Sequence, residues 1–239
     1  MPKNRPMIDY EARVKEIYLR HLRRGDTAVD VGAHLGYHTF AMLPWVGRQG
    51  YVLAFEPLKP LADALARGIE KLDRHWRRAV DLHCAALGNQ SGSASFVHVP
   101  DAPYFSGFER REYDKPRDTQ TITVEVKMLD EFIESLPSME YLKIDTEGSE
   151  LLVLRGAEHC VRKFRPLISI EYGKASADAY NMTSDDMFNF LAGVDYRLFD
   201  IMGREMEPDT FRDSSTRQDL WDYLAIPKER PDIAEKIFV

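Results

Sequence analysis

The chain has only two cysteines in 239 residues, Cys84 and Cys160. Both fall inside predicted secondary structure and neither has metal-ligand spacing, which excludes a disulfide-stapled or zinc-centred fold and leaves two reduced packing thiols. No run approaches the roughly 18 apolar residues of a membrane span, and the opening MPKNRPMIDYEARVK has no apolar signal core. The expectation is a cytoplasmic protein without membrane contact. A basic surplus is missing too: 32 Lys and Arg against 39 Asp and Glu leave a formal net charge of -7. The densest basic group, Arg20, Arg23 and Arg24 beside His21, sits at a helix end, where cations complement the dipole. A nucleic-acid partner needs a basic face, so none is expected. There is no internal repeat, and nothing in the sequence fixes the oligomeric state.

What is present is alternation. Val14, Ile17, Tyr18 and Leu22 recur at helical spacing and predict an amphipathic helix from Asp9 to about Arg24. Apolar runs then trade places with helical patterns: TAVDV, a helix from about Gly36, YVLAFE, LADALARGIEKL, VDLHCAAL, YLKID, SELLVLRGAEHCV and PLISIEY. This rhythm predicts an α/β fold, doubly wound, with a mostly parallel sheet covered by helices on both faces. A further helix at about Ser184 to Leu191 precedes YRLFDI and WDYLAI, read as two closing strands joined by a polar loop. SASFVHV and TITVEVKML alternate like antiparallel strands around a loop-like, charged segment, so 92–127 is expected to be a β-hairpin insertion. The whole of 1–239 is expected to form a single domain, with 1–25 as its N-terminal helix.

In TAVDVGAHLGYHTF a strand meets a glycine turn and a helix, the place where an open parallel sheet binds its ligand. Gly32 and Gly36 let backbone approach a ligand, and the helix start offers N–H groups to an anion. Their spacing is G-x-x-x-G rather than G-x-G-x-x-G, which disfavours a pyrophosphate. S-adenosylmethionine (SAM) fits better: Asp30 suits its ammonium group, backbone N–H groups its carboxylate, and Glu56, at the next strand's end, its ribose hydroxyls. Each acid could also simply cap a helix.

Taken in order, DVGAHLGYHT, AFEPLKP, AALG, MLDEF, KIDTEGSELLVLRGA and PLISIEY resemble the motifs of the FkbM family of SAM-dependent methyltransferases. The resemblance implies a seven-stranded class I methyltransferase sheet with a reversed final strand, SAM at the first three strand ends, and methyl transfer to oxygen. It also implies that Thr39 borders the methionine portion and that Ala85 and Ala86 line the adenine slot, with Pro57 beside Glu56 in AFEPLKP. His34 stands where the family commonly has asparagine, near the cofactor's amino-acid end.

KIDTEGSE puts Lys143, Asp145 and Glu147 at period-two spacing as a strand runs out, and Glu171 ends the next strand. Neighbouring carboxylates raise one another's pKa and can supply a base near neutrality, so these four are the catalytic candidates. Other uses stay open. Glu147 and Glu150 could cap the helix, Lys143 could pair with a neighbour, and Asp145, Glu147 and Glu171 could hold a divalent cation, although no metal-loop motif is present and no metal is assigned. Tyr104, Phe105, Phe108 and Tyr113, interleaved with Arg110, Arg111, Lys115 and Arg117, could form a lid. The expected activity is SAM-dependent methylation of a hydroxyl on a small metabolite, sugar or natural-product intermediate. The alternatives are an NAD(P)-type oxidoreductase and a non-catalytic nucleoside-binding or interaction module.

Overall fold

The structure is a computed structural model that describes residues 9–111, 113 and 115–238. Helix α1 (Tyr10–His21) starts at the Asp9 cap, whose carboxylate accepts from the Ala12 N–H at 3.0 Å. The chain then lays down β1 (Thr27–Val31), α2 (Tyr37–Val46), β2 (Tyr51–Phe55), α3 (Lys59–Glu70), α4 (Arg74–Arg77) and β3 (Val80–His83). The insertion follows as β4 (Ala86–Leu87), β5 (Gly92–His98) and β6 (Gln120–Lys127). After it come β7 (Tyr141–Ile144), α5 (Glu150–Arg155), α6 (Glu158–Phe164), β8 (Leu167–Glu171), α7 (Lys174–Asp178) and α8 (Ser184–Gly193). The chain closes with β9 (Tyr196–Asp200), α9 (Pro208–Arg217), β10 (Asp222–Pro227) and α10 (Pro231–Ile237).

Seven strands form one sheet in the order β3-β2-β1-β7-β8-β10-β9, in which only β10 runs against its neighbours. Strand order reverses between β1 and β7, the switch point where such sheets open a crevice. Burial alternates with the period of the strands. Val29, Val31, Leu142, Ile144, Ile168 and Ile170 pack under α5, α6, α8 and α9. Ala28, Tyr141, Leu167 and Leu224 face α1, α2 and α10. By the same alternation Asp30, Lys143, Glu171 and Asp222 belong to the α1/α2 face.

Three sequence expectations need correction. VDLHCAAL is two strands: β3 belongs to the main sheet, while β4 pairs in parallel with β6 in a small β4-β6-β5 sheet. The stretch SELLVLRGAEHCV is two short helices broken at Gly156, where an added Cβ would meet the Gly88 carbonyl oxygen at 1.9 Å. The connection between YRLFDI and WDYLAI contains α9, started by Pro208 and a reciprocal cap between Glu207 and Thr210. The antiparallel β5–β6 pairing matches its expectation.

The switch point is held together by a close backbone approach. Gly32 has φ +81°, and a Cβ there would lie 1.9 Å from the Asp145 carbonyl oxygen. Gly32→Ala therefore adds both a disfavoured backbone and a clash with main chain, and is expected to lower unfolding free energy by about 2–4 kcal/mol, read from urea denaturation.

Candidate active site

Two connected chambers open at the C-terminal edge of the parallel strands. The first, of about 480 Å³, lies over β1, β2 and β3. Its turn between β1 and α2 contributes Gly32, Ala33 and His34, and His34 holds the left-handed φ of +50° that lets the turn fold back. The first turn of α2 has no side-chain cap, so its N–H groups face the crevice without a protein acceptor from the cap. Glu56 is 4% exposed; its Oε2 accepts from the His34 N–H at 2.9 Å and its Oε1 from the Leu58 N–H at 2.8 Å. Burial raises its pKa to about 7 against those two N–H groups, with Asp30 and Asp145 adding to the rise. Pro57, Ala85 and Ala86 line the same chamber, and Leu58, Leu61 and Phe96 make one end apolar.

The second chamber, of about 540 Å³, lies under α1, the insertion and the start of β10. Both chambers share Lys143, Asp145, Glu147 and Glu171 as lining, so these side chains form the boundary between them. Lys143 Nζ donates to Asp145 Oδ2 at 2.8 Å. Burial alone would raise the Asp145 pKa, but Lys143 and a hydrogen bond from Glu171 outweigh it and hold the carboxyl down at about 2. Burial and the Asp145 charge push Glu171 well above the carboxylate range. The two carboxyls are thus pushed apart, Asp145 towards the ionised form and Glu171 towards the protonated one. Glu147, with the left-handed φ of +61°, turns towards Arg111, whose Nη2 lies 2.8 Å from Glu147 Oε2. Burial still raises Glu147, with Arg111 opposing. Glu150 points elsewhere: its Oε1 accepts from the Thr146 and Gly148 N–H groups at 3.1 and 2.9 Å and shapes the loop.

The oxygens of Asp145, Glu147 and Glu171 lie within 4.8 Å of one another, close enough to share a cation. Lys143 and Arg111 already supply positive charge there.

Three cofactor candidates from the sequence do not line the crevice. Asp30 is 1% exposed and sits opposite Lys143 in the β1–β7 register. Its Oδ2 accepts from the Thr39 hydroxyl at 2.6 Å, so Asp30 and Thr39 tie α2 to β1 from beneath; Asp30 Oδ1 is buried without a protein hydrogen bond. Gly36 serves packing, since a Cβ there would meet Leu65 Cδ1 at 2.4 Å. The other six, Gly32, His34, Glu56, Pro57, Ala85 and Ala86, line the first chamber.

Sequence reasoning passed over His38, Glu11 and Asp222. His38 lines both chambers; its Nδ1 is 3.1 Å from the Tyr18 hydroxyl and its Nε2 2.5 Å from Glu11 Oε2, which fastens α1 across the opening. In the insertion, the Phe105 ring lies 5.5 Å from the Arg111 guanidinium and 4.8 Å from that of Arg117, while Phe108 packs on Phe96. Tyr104 borders both chambers.

A profile of the family described as the methyltransferase FkbM domain matches residues 30–198. The chain belongs to this family of SAM-dependent methyltransferases, which removes the oxidoreductase reading. A protein called Methyltransferase 1 from Beauveria bassiana (strain ARSEF 2860) is 28% identical over 147 residues, covering 54% of this chain and 57% of the relative. The crystal structure of an FkbM methyltransferase from Methylobacillus flagellatus KT superposes with TM-score 0.54 at 19% identity, over 86% of this chain and 44% of that one. The chain thus spans about half the length of these relatives. The O-methyltransferase TomG of Streptomyces achromogenes, crystallised with SAM, gives TM-score 0.50 at 10% identity over 92% of this chain and 81% of its own. Both structures share the class I methyltransferase fold. No helix among the described residues is long and apolar enough to cross a membrane.

The raised Glu56 pKa has a thermodynamic sign. Between an unfolded value of about 4.3 and the folded value of about 7, the native state holds a proton that the unfolded chain has lost, so stability present below the lower value is lost as pH rises through the upper one. Glu56→Gln abolishes this contribution. Its stability relative to wild type is expected to be greater at pH 8 than at pH 5, by up to about 3 kcal/mol, measured by paired denaturant melts.

Proposed function

We propose that this chain transfers a methyl group from SAM to a hydroxyl oxygen of a small molecule, such as a sugar or natural-product intermediate. The observation that carries the reading is the meeting of two chambers at the Lys143, Asp145, Glu147 and Glu171 side chains that line both. The first chamber has what a sulfonium nucleoside needs: the Glu56 carboxylate for a vicinal diol, the small Ala85 and Ala86 beside apolar Leu58 and Phe96 for a flat base, and uncapped N–H groups of α2 for a carboxylate. When bound there, SAM supplies an electrophilic methyl group.

The chain's own residues act on the acceptor. Asp145, ionised and held by Lys143, accepts the hydrogen bond of a hydroxyl placed at the boundary and so aims its oxygen at the first chamber. As that oxygen takes the methyl group, the methyl–sulfur bond would break to leave the neutral thioether S-adenosylhomocysteine and the hydroxyl proton would pass to Asp145, while Glu171, within 4.8 Å of the same carboxylate, holds it in position. Because Asp145 is a weak base on its own, alignment contributes more than proton removal: up to about 7–11 kcal/mol against about 10²–10⁴-fold. His38 and Glu11 hold α1 as one wall of the acceptor chamber, and the Phe105–Arg111 unit covers another. The enclosure and the acid lining favour a small acceptor over a nucleic acid.

The test is transfer of labelled methyl from SAM into a cell extract, with mass spectrometry of the product. An acid-stable ether is expected; labelled nitrogen, or cofactor binding with no labelled product from any extract, would remove the hydroxyl reading. With the acceptor in hand, Asp145→Asn is expected to lower kcat by about 10²–10⁴-fold while leaving S-adenosylhomocysteine affinity within about twofold in calorimetry.

A further inference from the structure

The acceptor chamber has a charge imbalance. Five carboxylates line it, from Glu11, Asp145, Glu147, Glu171 and Asp222, against the two permanent cations Lys143 and Arg111. Both cations are committed, Lys143 to Asp145 and Arg111 to Glu147, and Glu11 faces His38. Glu171 and Asp222 remain. They are direct partners in the antiparallel register of β8 and β10, where like charges repel. Glu171 is bonded to Asp145, whereas among the described residues the Asp222 carboxylate makes no hydrogen bond or ion pair. Burial raises the Asp222 pKa to about 7, with Asp145 adding to the rise and Lys143 opposing it.

A neutral polyol bound here leaves the Asp222 carboxylate without a counter-charge. An ammonium group supplies one, and the surrounding rings suit it: Tyr10 from α1, Tyr104 from the insertion and Trp221 next to Asp222 all line the same space. Tyr104 and Trp221 are 55% and 36% exposed. We infer that the chamber selects acceptors that carry a protonated amine, seated by Asp222, alongside the hydroxyl that meets Asp145. The position of the hydroxyl rests on the methyl-transfer reading; that of the amine rests on the chamber alone.

The test uses three matched probes: trans-2-aminocyclohexanol, its N-acetyl derivative and trans-1,2-cyclohexanediol. Each is titrated into the full chain by ligand-observed NMR, with and without saturating S-adenosylhomocysteine. The amine is expected to bind about tenfold more tightly than either neutral probe. Asp222→Asn is expected to erase that preference and Asp222→Glu to retain it, with S-adenosylhomocysteine affinity unchanged in both. Equal binding of the three probes, no detectable binding of the amine, or a preference untouched in Asp222→Asn overturns the inference. If that variant does not fold, the wild-type comparison decides. S-adenosylhomocysteine that fails to bind while the amine preference holds defeats the methyl-transfer reading and leaves this one standing; the opposite pattern defeats this one alone.

Discussion

The architecture of the site depends on how closely two strand ends approach. The end of β1 and the end of β7 meet with no room for a side chain at position 32, where a Cβ would stand 1.9 Å from the Asp145 carbonyl oxygen. Two consequences follow from this one contact. The turn carrying Gly32, Ala33 and His34 is pulled against the β7 loop, so the nucleoside-shaped crevice has Asp145 in its wall. The chain also leaves β7 in a direction that puts Thr146, Glu147 and Gly148 around the Glu150 carboxylate instead of continuing straight into α5. A bulkier residue at position 32 would displace the main chain of Asp145, which lines both chambers.

Charge is arranged in rows across the same sheet face. Asp30 on β1 lies opposite Lys143 on β7, and one step further towards the edge Asp145 meets Glu171, which lies opposite Asp222 on β10. Lys143 is buried yet its pKa rises, because Asp145 and Asp30 outweigh the desolvation that acts against its charge. A buried cation is held by the acids around it, since an unpaired charge in such a place costs several kcal/mol. This explains why Asp30 sits beneath the crevice: it supports Lys143 electrostatically and α2 through Thr39. Lys143 in turn pulls the Asp145 pKa down, and the Asp145 charge adds to the rise that burial causes at Glu171.

Much of this was legible in the sequence because strand-end chemistry is local. In DVGAHLG, AFEP, KIDTEGSE and ISIEY the informative residue stands at or just past an apolar run, and in a parallel sheet all such ends come to one edge. That rule brought Glu56, Lys143, Asp145, Glu147 and Glu171 to one region. It does not say which way a side chain points, and Asp30 shows the difference: one residue before the end of β1, the pleat turns it under α2. Asp222 escaped for a different reason. It begins its strand, and only the reversal of β10 carries a strand's first residue to the edge where the others finish. Glu11 and His38 depend on how α1 crosses α2, and helical periodicity does not specify a crossing. Splitting VDLHCAAL into β3 and β4 likewise required knowing that β6 returns to take up the second half.

The two chambers also differ in how they relate to the family. Every residue argued to hold the methyl donor lies within the matched stretch, 30–198. The acceptor chamber reaches outside it on both sides, taking Tyr10, Glu11 and Val14 from α1 and Gln218, Trp221 and Asp222 from the approach to β10. Its remaining wall includes Arg111 and Tyr113 from the insertion, a segment whose length and charge owe nothing to the parallel sheet. A fold that fixes one ligand through strand ends and surrounds the other with added elements can keep its donor chemistry while its acceptor changes. For this reason the matched stretch carries the features shared with the family, and an acceptor must be read from α1, the insertion and the start of β10.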